Sequence, residues 1–207
     1  MKNSIPSDFL TIKEVLQKGG VICYPTETVY GLGCDPFNRA AVEKVFKLKE
    51  RKLEQSPLLL IPNKEWVLRL AKDISKTALQ VIEQFWPGPL TLVLNASSQI
   101  PSWLIRDDES IALRISSHPW VSAFLNYYGF PIVSTSANKR GAVSSQSLKD
   151  VKTYFPQGID YTVDGGELSF SRGSTIVSVR DNTIQLIRSG DVTLEQLKRI
   201  YGQGSPL

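Results

Sequence analysis

One stretch, Gly19–Pro36, limits the fold of this chain more than any other. It opens with a short, apolar, β-rich run at Val21–Tyr24, which is typical of a buried strand and too short for a helix. Pro25 must end the strand ladder, because proline has no amide hydrogen to donate. The polar residues 26–28 and two glycines follow, so hydroxyls and backbone amides are offered together where the strand ends. Open α/β sheets usually bind ligands at such places, although a strand and a simple turn would explain the spacing equally well.

Apolar runs and helical patterns alternate along the remaining chain, which predicts an α/β fold with a mixed sheet. The run Leu58–Ile61 is typical of a central strand, and Asn38 is placed to cap a helix whose apolar face includes Val45. Residues 172–188 indicate a β-hairpin. The 207 residues have 42% hydrophobic content and contain no internal repeat or low-complexity linker. We therefore expect residues 1–207 to form a single domain.

Composition narrows the classes of function. The net charge of +4 and the pI near 9.0 suit a polyanionic ligand, such as a nucleotide or RNA, although a generic basic protein has the same charge. The single histidine, His118, excludes most zinc sites, and its place before Pro119 favours a helix start over a catalytic base. Cys23 and Cys34 lack the Cys-x-x-Cys spacing, and no apolar run is long enough to span a bilayer. We therefore expect a soluble protein of the reducing cytoplasm, without membrane contact or a metal centre.

Three groups of polar residues are candidates for ligand binding. The cations at 47–52 end a helical pattern, where the helix dipole alone would stabilise them by up to about 1 kcal/mol, but they could also clamp a phosphate. Arg114 lies in mid-strand on the same face as Ala112, where a charge is costly unless it reaches solvent or an anion. Ser134–Asn138 places four short polar side chains at a strand end. We expect a second wall of a ligand site there, with local side-chain to backbone bonding as the alternative.

Several motifs follow one another in a fixed order and cover nearly the whole chain. They are Tyr24–Gly33, Lys49–Arg51, Trp86–Thr91, Leu113–Arg114 with His118–Pro119, Ser134–Asn138, Ser174–Val177 and Arg188–Gly190. This ordered set resembles the YrdC/TsaC family of threonylcarbamoyl-adenylate synthases. The resemblance implies an α/β fold in which a twisted, open, mixed sheet with flanking helices surrounds a large basic cavity. It also implies the compact, single-domain form of the family.

The resemblance implies a reaction and a set of site residues. L-Threonine, bicarbonate and ATP would give threonylcarbamoyl-AMP and pyrophosphate, with ATP as a substrate accompanied by Mg²⁺. A separate tRNA-modifying transferase complex would then use the product to make threonylcarbamoyladenosine in tRNA. The residues implied for the reaction centre are Lys49, Arg51, Ser134 and Asn138. Those implied for the nucleotide are Lys49, Arg51, Ser134, Ser136, Asn138 and Arg188, and those for the threonine are Thr28, Ser174 and, on its carboxylate, Arg114.

The chain departs from the family pattern at four places, one of which is a loop before Pro57–Leu58 that is one residue longer than usual. Lys52 stands where the family usually has proline, Lys139–Gly141 where it commonly has x-Ser-Gly, and Ser178 where it often has Asp. These departures keep two alternatives open. One is a divergent paralogue that acts as an RNA-binding accessory protein, whose affinity for RNA would fall steeply with salt. The other is a carbamoyl-transfer enzyme with a different acceptor, which a test of other amino acids in place of threonine would separate.

Overall fold

The computed structural model describes residues 7–50 and 57–201. Its strands are β1 (Ile22–Tyr24), β2 (Gly31–Gly33), β3 (Leu58–Leu60), β4 (Leu90–Asn95), β5 (Ser110–Arg114), β6 (Ile132–Ser136), β7 (Tyr161–Thr162), β8 (Thr175–Arg180) and β9 (Thr183–Arg188). Its helices are α1 (Ser7–Gln17), α2 (Arg39–Leu48), α3 (Glu65–Leu70), α4 (Lys76–Phe85), α5 (Pro119–Tyr128), α6 (Leu148–Tyr154) and α7 (Leu194–Tyr201), with a short 3₁₀ helix at Ser102–Leu104. In this part of the chain, one nine-stranded sheet has the order β7-β1-β2-β6-β3-β5-β4-β8-β9.

The sheet mixes parallel and antiparallel neighbours, as the sequence predicts. The central strand is β3, which pairs parallel with β5 and antiparallel with β6, so that Leu59 lies opposite both Leu113 and Val133. The predicted hairpin is confirmed, because β8 and β9 pair antiparallel. Asp181 and Asn182 join these two strands, and both have a positive φ, as a tight hairpin turn requires.

Short-range signals in the sequence account for the helix ends. The Asn38 side chain accepts from the Ala41 amide at 3.2 Å and so caps α2, as predicted. Ser75 caps α4 in the same way, accepting from the Ala78 amide at 3.1 Å. Gly19 has a φ of +75° and follows α1, which is the left-handed conformation that closes many helices. These caps fix where the chain leaves each helix to enter the sheet.

Two hydrophobic clusters hold the helices against the sheet. The smaller joins α1 and α5 to the sheet and includes the fully buried Ile12 and Phe124. The larger joins α2, α3 and α4 to the sheet and includes Val45 and Leu59. Full burial of such a side chain contributes about 1.5–3 kcal/mol relative to exposure. The backbone around the candidate site is therefore held by packing on several sides.

One predicted strand is shorter than expected. The sequence indicated a strand over Ile159–Val163, whereas β7 comprises Tyr161–Thr162 alone. Its partner β1 has only three residues, and the register pairs Ile22 with Tyr161 and Cys23 with Thr162. Among residues 7–50 and 57–201, no helix is long and apolar enough to cross a membrane.

Candidate active site

A cavity of about 360 Å³ brings together residues from most of the motifs singled out in the sequence. Seven of its lining residues are cationic: Lys49, Arg106, Arg114, Lys139, Arg140, Arg172 and Arg188. No lining residue in the described part of the chain is Asp or Glu. Hydroxyl groups lie among the cations, mainly from Thr26, Thr28, Thr91, Ser134, Ser136 and Ser174. Such a surface favours anions, because positive charges in a partly enclosed site focus the electrostatic field.

Arg114 is the most deeply buried cation of this lining, at 4% exposure. Its Nη2 donates to Oε2 of Glu27 at 3.1 Å, whereas its Nε has no acceptor among the described residues. A buried donor without an acceptor costs about 1–3 kcal/mol. Arg114 therefore places a positive charge, and one donor that no described residue engages, in the lining of the cavity. The anion-binding role that its mid-strand position suggested stays a prediction.

The carboxylate of Glu27 holds Arg114 in place. Its Oε2 also accepts from the Ser116 hydroxyl at 2.5 Å, and its Oε1 accepts from the Ser117 amide at 3.3 Å. The sequence placed Glu27 among polar residues at a strand end but did not predict its pairing with Arg114. Within the same segment, the Thr26 hydroxyl accepts from the Val29 amide at 3.2 Å, so part of it forms an ordinary turn.

Lys49 lies directly after α2 and reaches across to the wall formed by the end of β6. Its Nζ donates to the carbonyl oxygen of Ser136 and, at 2.9 Å, to that of Asn138. The Asn138 side chain in turn donates to the Ala142 carbonyl at 2.6 Å. The sequence left open whether this cationic segment is stabilised by the helix dipole or binds a ligand. The structure places Lys49 in the cavity, while Arg51 and Lys52 lie outside the described residues.

A second arginine extends the cationic lining at the other end of the sheet. Arg188 pairs with Ile176, which in turn pairs with Thr91, so the three side chains come from adjacent strands. Nη2 of Arg188 donates to the Ser174 carbonyl at 2.7 Å and to the Ser174 hydroxyl at 3.1 Å. Burial and the nearby Arg114 guanidinium lower the pKa of Arg188. Two arginines are thus held in one cavity, where an anion would relieve their mutual repulsion.

All but one of the predicted site residues line this cavity. Those that do are Thr28, Lys49, Arg114, Ser134, Ser136, Asn138, Ser174 and Arg188; Arg51 falls outside the described ranges. The sequence did not single out Arg106 or Arg172 as site residues, because both lie in loops that carry no periodic pattern. The sequence marked Lys139 and Arg140 as a departure from the family pattern and not as site residues.

His118 does not line the cavity. It stands at the N-cap of α5, directly before Pro119, as the sequence predicted. Its backbone amide donates to the Ser116 hydroxyl at 3.1 Å. Burial lowers the pKa of its imidazole, and the Glu27 carboxylate opposes this effect. The described lining therefore presents cations, hydroxyls and backbone groups, and no histidine.

Fold and cavity together define a class: an α/β protein with an open mixed sheet and a cation-lined cavity on it. Comparison with known proteins identifies the family. The Sua5/YciO/YrdC family model, described as "Telomere recombination", matches residues 14–190, and the chain belongs to this family.

Relatives in sequence and structure agree with this membership. A threonylcarbamoyl-AMP synthase of Marinobacter nauticus is 38% identical over 168 residues, covering 81% of this chain and 88% of that protein. One from Stutzerimonas stutzeri is 37% identical over 181 residues, covering 87% and 93%. The crystal structure of P. abyssi Sua5 complexed with L-threonine superposes with a TM-score of 0.88 at 31% identity, over 94% of this chain. The match spans only 57% of that longer chain.

The described residues do not fit a metal centre held by the protein. Mg²⁺ prefers carboxylate, phosphate and water oxygens, and the described lining offers no carboxylate. No group of three or more His, Cys, Asp or Glu side chains in residues 7–50 and 57–201 could hold a metal ion. Mg²⁺ therefore stays a prediction tied to ATP, whose phosphates can bind it.

Proposed function

We propose that the protein is an L-threonylcarbamoyladenylate synthase, a nucleotidyltransferase that forms threonylcarbamoyl-AMP and pyrophosphate from L-threonine, bicarbonate and ATP. The names of the curated relatives and the threonine complex of the archaeal relative support this reaction. The observation that carries the proposal is the buried Arg114, held by Glu27 in a cation-lined cavity whose described lining has no acidic residue. The proposed setting is the cytoplasm, where the product would serve a tRNA-modifying transferase.

The proposed chemistry needs positioning and charge neutralisation more than proton transfer by a histidine. The amine of threonine would form a carbamate, either with bicarbonate, from which water is lost, or with carbon dioxide, in which case the nitrogen gives up a proton. A carbamate oxygen would then attack the α-phosphorus of ATP, the bond to the β-phosphate would break, and pyrophosphate would leave. Fixed cations and hydrogen-bond donors accelerate such a step by aligning anionic reactants and by stabilising charge in the transition state.

Arg114 would bind the carboxylate of threonine. A guanidinium matches a carboxylate well, because it presents N–H donors in a planar fork. Glu27 accepts a hydrogen bond from Nη2, which holds the guanidinium in the lining of the cavity. Thr28 and Ser174 are buried at 3% and 4% exposure in the same lining and would add hydroxyl contacts.

The nucleotide would occupy the part of the cavity between α2 and the end of β6. Lys49 would supply charge to the phosphates, because its Nζ already lies at the carbonyls of Ser136 and Asn138. The other residues proposed for this end are Ser134, Ser136, Asn138 and Arg188, together with Arg51. Lys49, Arg51, Ser134 and Asn138 would lie nearest the reacting phosphorus.

The decisive experiment measures pyrophosphate release from ATP by the purified protein with Mg²⁺, with and without L-threonine and bicarbonate, and identifies the product by mass. We expect release to require both co-substrates and the product to have the mass of threonylcarbamoyl-AMP. No release from folded protein would contradict the proposal. Salt-sensitive RNA binding in that case would favour the accessory-protein alternative.

Two variants test whether Arg114 binds the threonine and Lys49 binds the nucleotide. Arg114→Lys keeps the charge but loses the planar fork, so we expect the KM for threonine to rise about tenfold or more with little change in ATP affinity. Lys49→Met should weaken ATP binding and leave threonine binding nearly unchanged. Lys76→Met, at an exposed position on α4, is the matched control. Equal effects of Arg114→Lys on both ligands would overturn the assignment.

A further inference from the structure

Two cations of the cavity differ from the others in their partners. Three lining cations lie next to carboxylates, in the pairs Arg114 with Glu27, Lys139 with Glu50 and Arg106 with Asp108. Lys49 and Arg188 donate to backbone carbonyls. By contrast, the guanidinium groups of Arg140 and Arg172 have no hydrogen bond or ion pair within residues 7–50 and 57–201. Arg140 and Arg172 are therefore the lining cations whose guanidinium donors are all unused within those residues.

Arg140 sits on a turn that is fixed at both ends. The Ala142 amide donates to the Lys139 carbonyl at 3.1 Å, and Gly141 has the positive φ of +77° that this turn requires. The Asn138 side chain also stabilises the turn, because its amide donates a hydrogen bond to the Ala142 carbonyl at 2.6 Å.

A second brace reaches this turn from α2. Nζ of Lys139 donates to the Leu48 carbonyl at 3.0 Å and to Oε1 of Glu50 at 2.6 Å. The turn is thus attached to the same helix end that presents Lys49. Arg140, in the middle of this turn, therefore has a fixed backbone. Its guanidinium has no hydrogen-bond partner among the residues that the structure describes.

Asp191 holds the backbone around Arg172 through hydrogen bonds. The Arg172 amide donates to Oδ1 of Asp191 at 2.9 Å, and the Ser171 hydroxyl donates to Oδ2 at 2.5 Å. The Asp191 amide closes the loop by donating to the Gly173 carbonyl at 3.0 Å. Both Asp191 oxygens are therefore engaged by the loop itself, and the exposed Arg172 side chain lines the cavity without a partner among the residues that the structure describes.

We infer that Arg140 and Arg172 form a diphosphate-binding site in the wall of this cavity, separate from the Arg114 and Lys49 contacts. A guanidinium binds phosphate oxygens with two parallel N–H donors, and a diphosphate offers one phosphoryl group to each arginine. The inference rests on the proposed function, in which a diphosphate is first the leaving end of ATP and then the free product. Occupancy of this site by free pyrophosphate would oppose ATP binding and slow the next turnover.

Calorimetric titration of the apo protein with inorganic pyrophosphate, without any co-substrate, tests the site independently of turnover. We expect Arg140→Gln and Arg172→Gln each to weaken pyrophosphate binding, and the double variant to weaken it about tenfold or more. Arg140→Lys should retain part of the affinity, because it keeps the charge and loses the fork. Arg199→Gln, an exposed position on α7, is the matched control and should leave the affinity unchanged.

Binding of AMP and ATP to the same variants shows whether the site recognises the diphosphate. AMP, which has no diphosphate, should bind the double variant and the parent protein equally. ATP should bind the double variant more weakly than the parent protein, as pyrophosphate does. Unchanged pyrophosphate affinity in the double variant would overturn the site, even if the parent protein makes threonylcarbamoyl-AMP. Loss of RNA binding without loss of pyrophosphate binding would also overturn it. An inactive parent protein that still binds pyrophosphate through these arginines would contradict the proposed function alone.

Discussion

Nη2 of Arg114 donates to Oε2 of Glu27 at 3.1 Å, and both groups are largely buried, at 4% and 15% side-chain exposure. The carboxylate that orients the arginine thus belongs to the loop after β1, and the arginine ends β5. Ser116 and the Ser117 amide complete the donors around this carboxylate. The guanidinium that we propose for the threonine carboxylate is therefore aligned before substrate arrives.

Glu27→Gln should weaken threonine use while sparing ATP. The amide keeps the size of the side chain but removes the charge that holds Arg114, so we expect the KM for threonine to rise about tenfold. The affinity for ATP, measured by titration, should change little. Glu83→Gln, which removes an exposed carboxylate paired with Lys64, is the control. Equal losses for both substrates would show that Glu27 acts through general stability instead.

Lys139→Met should loosen the end of α2. The substitution removes the donors to the Leu48 carbonyl and to Glu50, a non-glycine residue with a positive φ of 55°. We expect a loss of about 1 kcal/mol in the free energy of unfolding. Faster hydrogen exchange should appear at the Lys49 and Glu50 amides, which bond to the last turn of α2. Lys149→Met, on the exposed side of α6, should change neither the free energy of unfolding nor the exchange of these amides. Unchanged exchange of the Lys49 amide in the Lys139→Met variant would show that Lys139 does not hold the end of α2.

Local chemistry explains why much of the fold could be predicted from the sequence. Asn38 and Ser75 cap helices through contacts only three residues away, and Gly129 closes α5 at a φ of +78°. The cost of a charge in mid-strand also identified Arg114 as a ligand candidate without any partner in view. Such signals depend on residues that are close together in the chain, so the sequence alone is enough to predict these features.

The remaining parts of the site depend on long-range contacts. Glu27 and Arg114 are 87 positions apart, and no pattern in either segment specifies their pairing. The cavity contact of Arg172 depends on Asp191, 19 positions further along. β7 is short because only two of the three residues of β1 find a partner in it. Tertiary packing decides each of these features, and a single sequence does not record it.

The two thiols should be unreactive in the native protein. Cys23 and Cys34 are fully buried, and burial raises the pKa of Cys23 to about 12 and raises that of Cys34 as well. Only a thiolate reacts quickly with iodoacetamide. At about pH 8 we expect no alkylation of folded protein and two modified cysteines after denaturation in urea, counted by mass spectrometry. Rapid native labelling of either thiol would contradict the buried positions of β1 and the segment after β2.

The capping box of α6 makes part of the stability depend on pH. The Ser147 hydroxyl accepts from the Asp150 amide at 3.2 Å, and Oδ2 of Asp150 accepts from the Ser147 and Gln146 amides at 3.0 Å each. The hydrogen bond with Ser147, followed by the Gln146 amide, lowers the pKa of Asp150. Ser147→Ala should therefore cost about 1 kcal/mol in the free energy of unfolding at neutral pH.

For a carboxylate whose pKa is lower in the folded state, the stabilisation is present above the unfolded pKa, about 3.9, and is lost as the pH falls through the folded value. Asp150→Asn should therefore destabilise the protein at about pH 7, and its difference from the parent should shrink towards about pH 3. Urea unfolding at a series of pH values measures this difference. Asp107→Asn, at an exposed loop position, should show no such trend. A difference that stays constant with pH would mean that Asp150 acts through its shape and not through its charge.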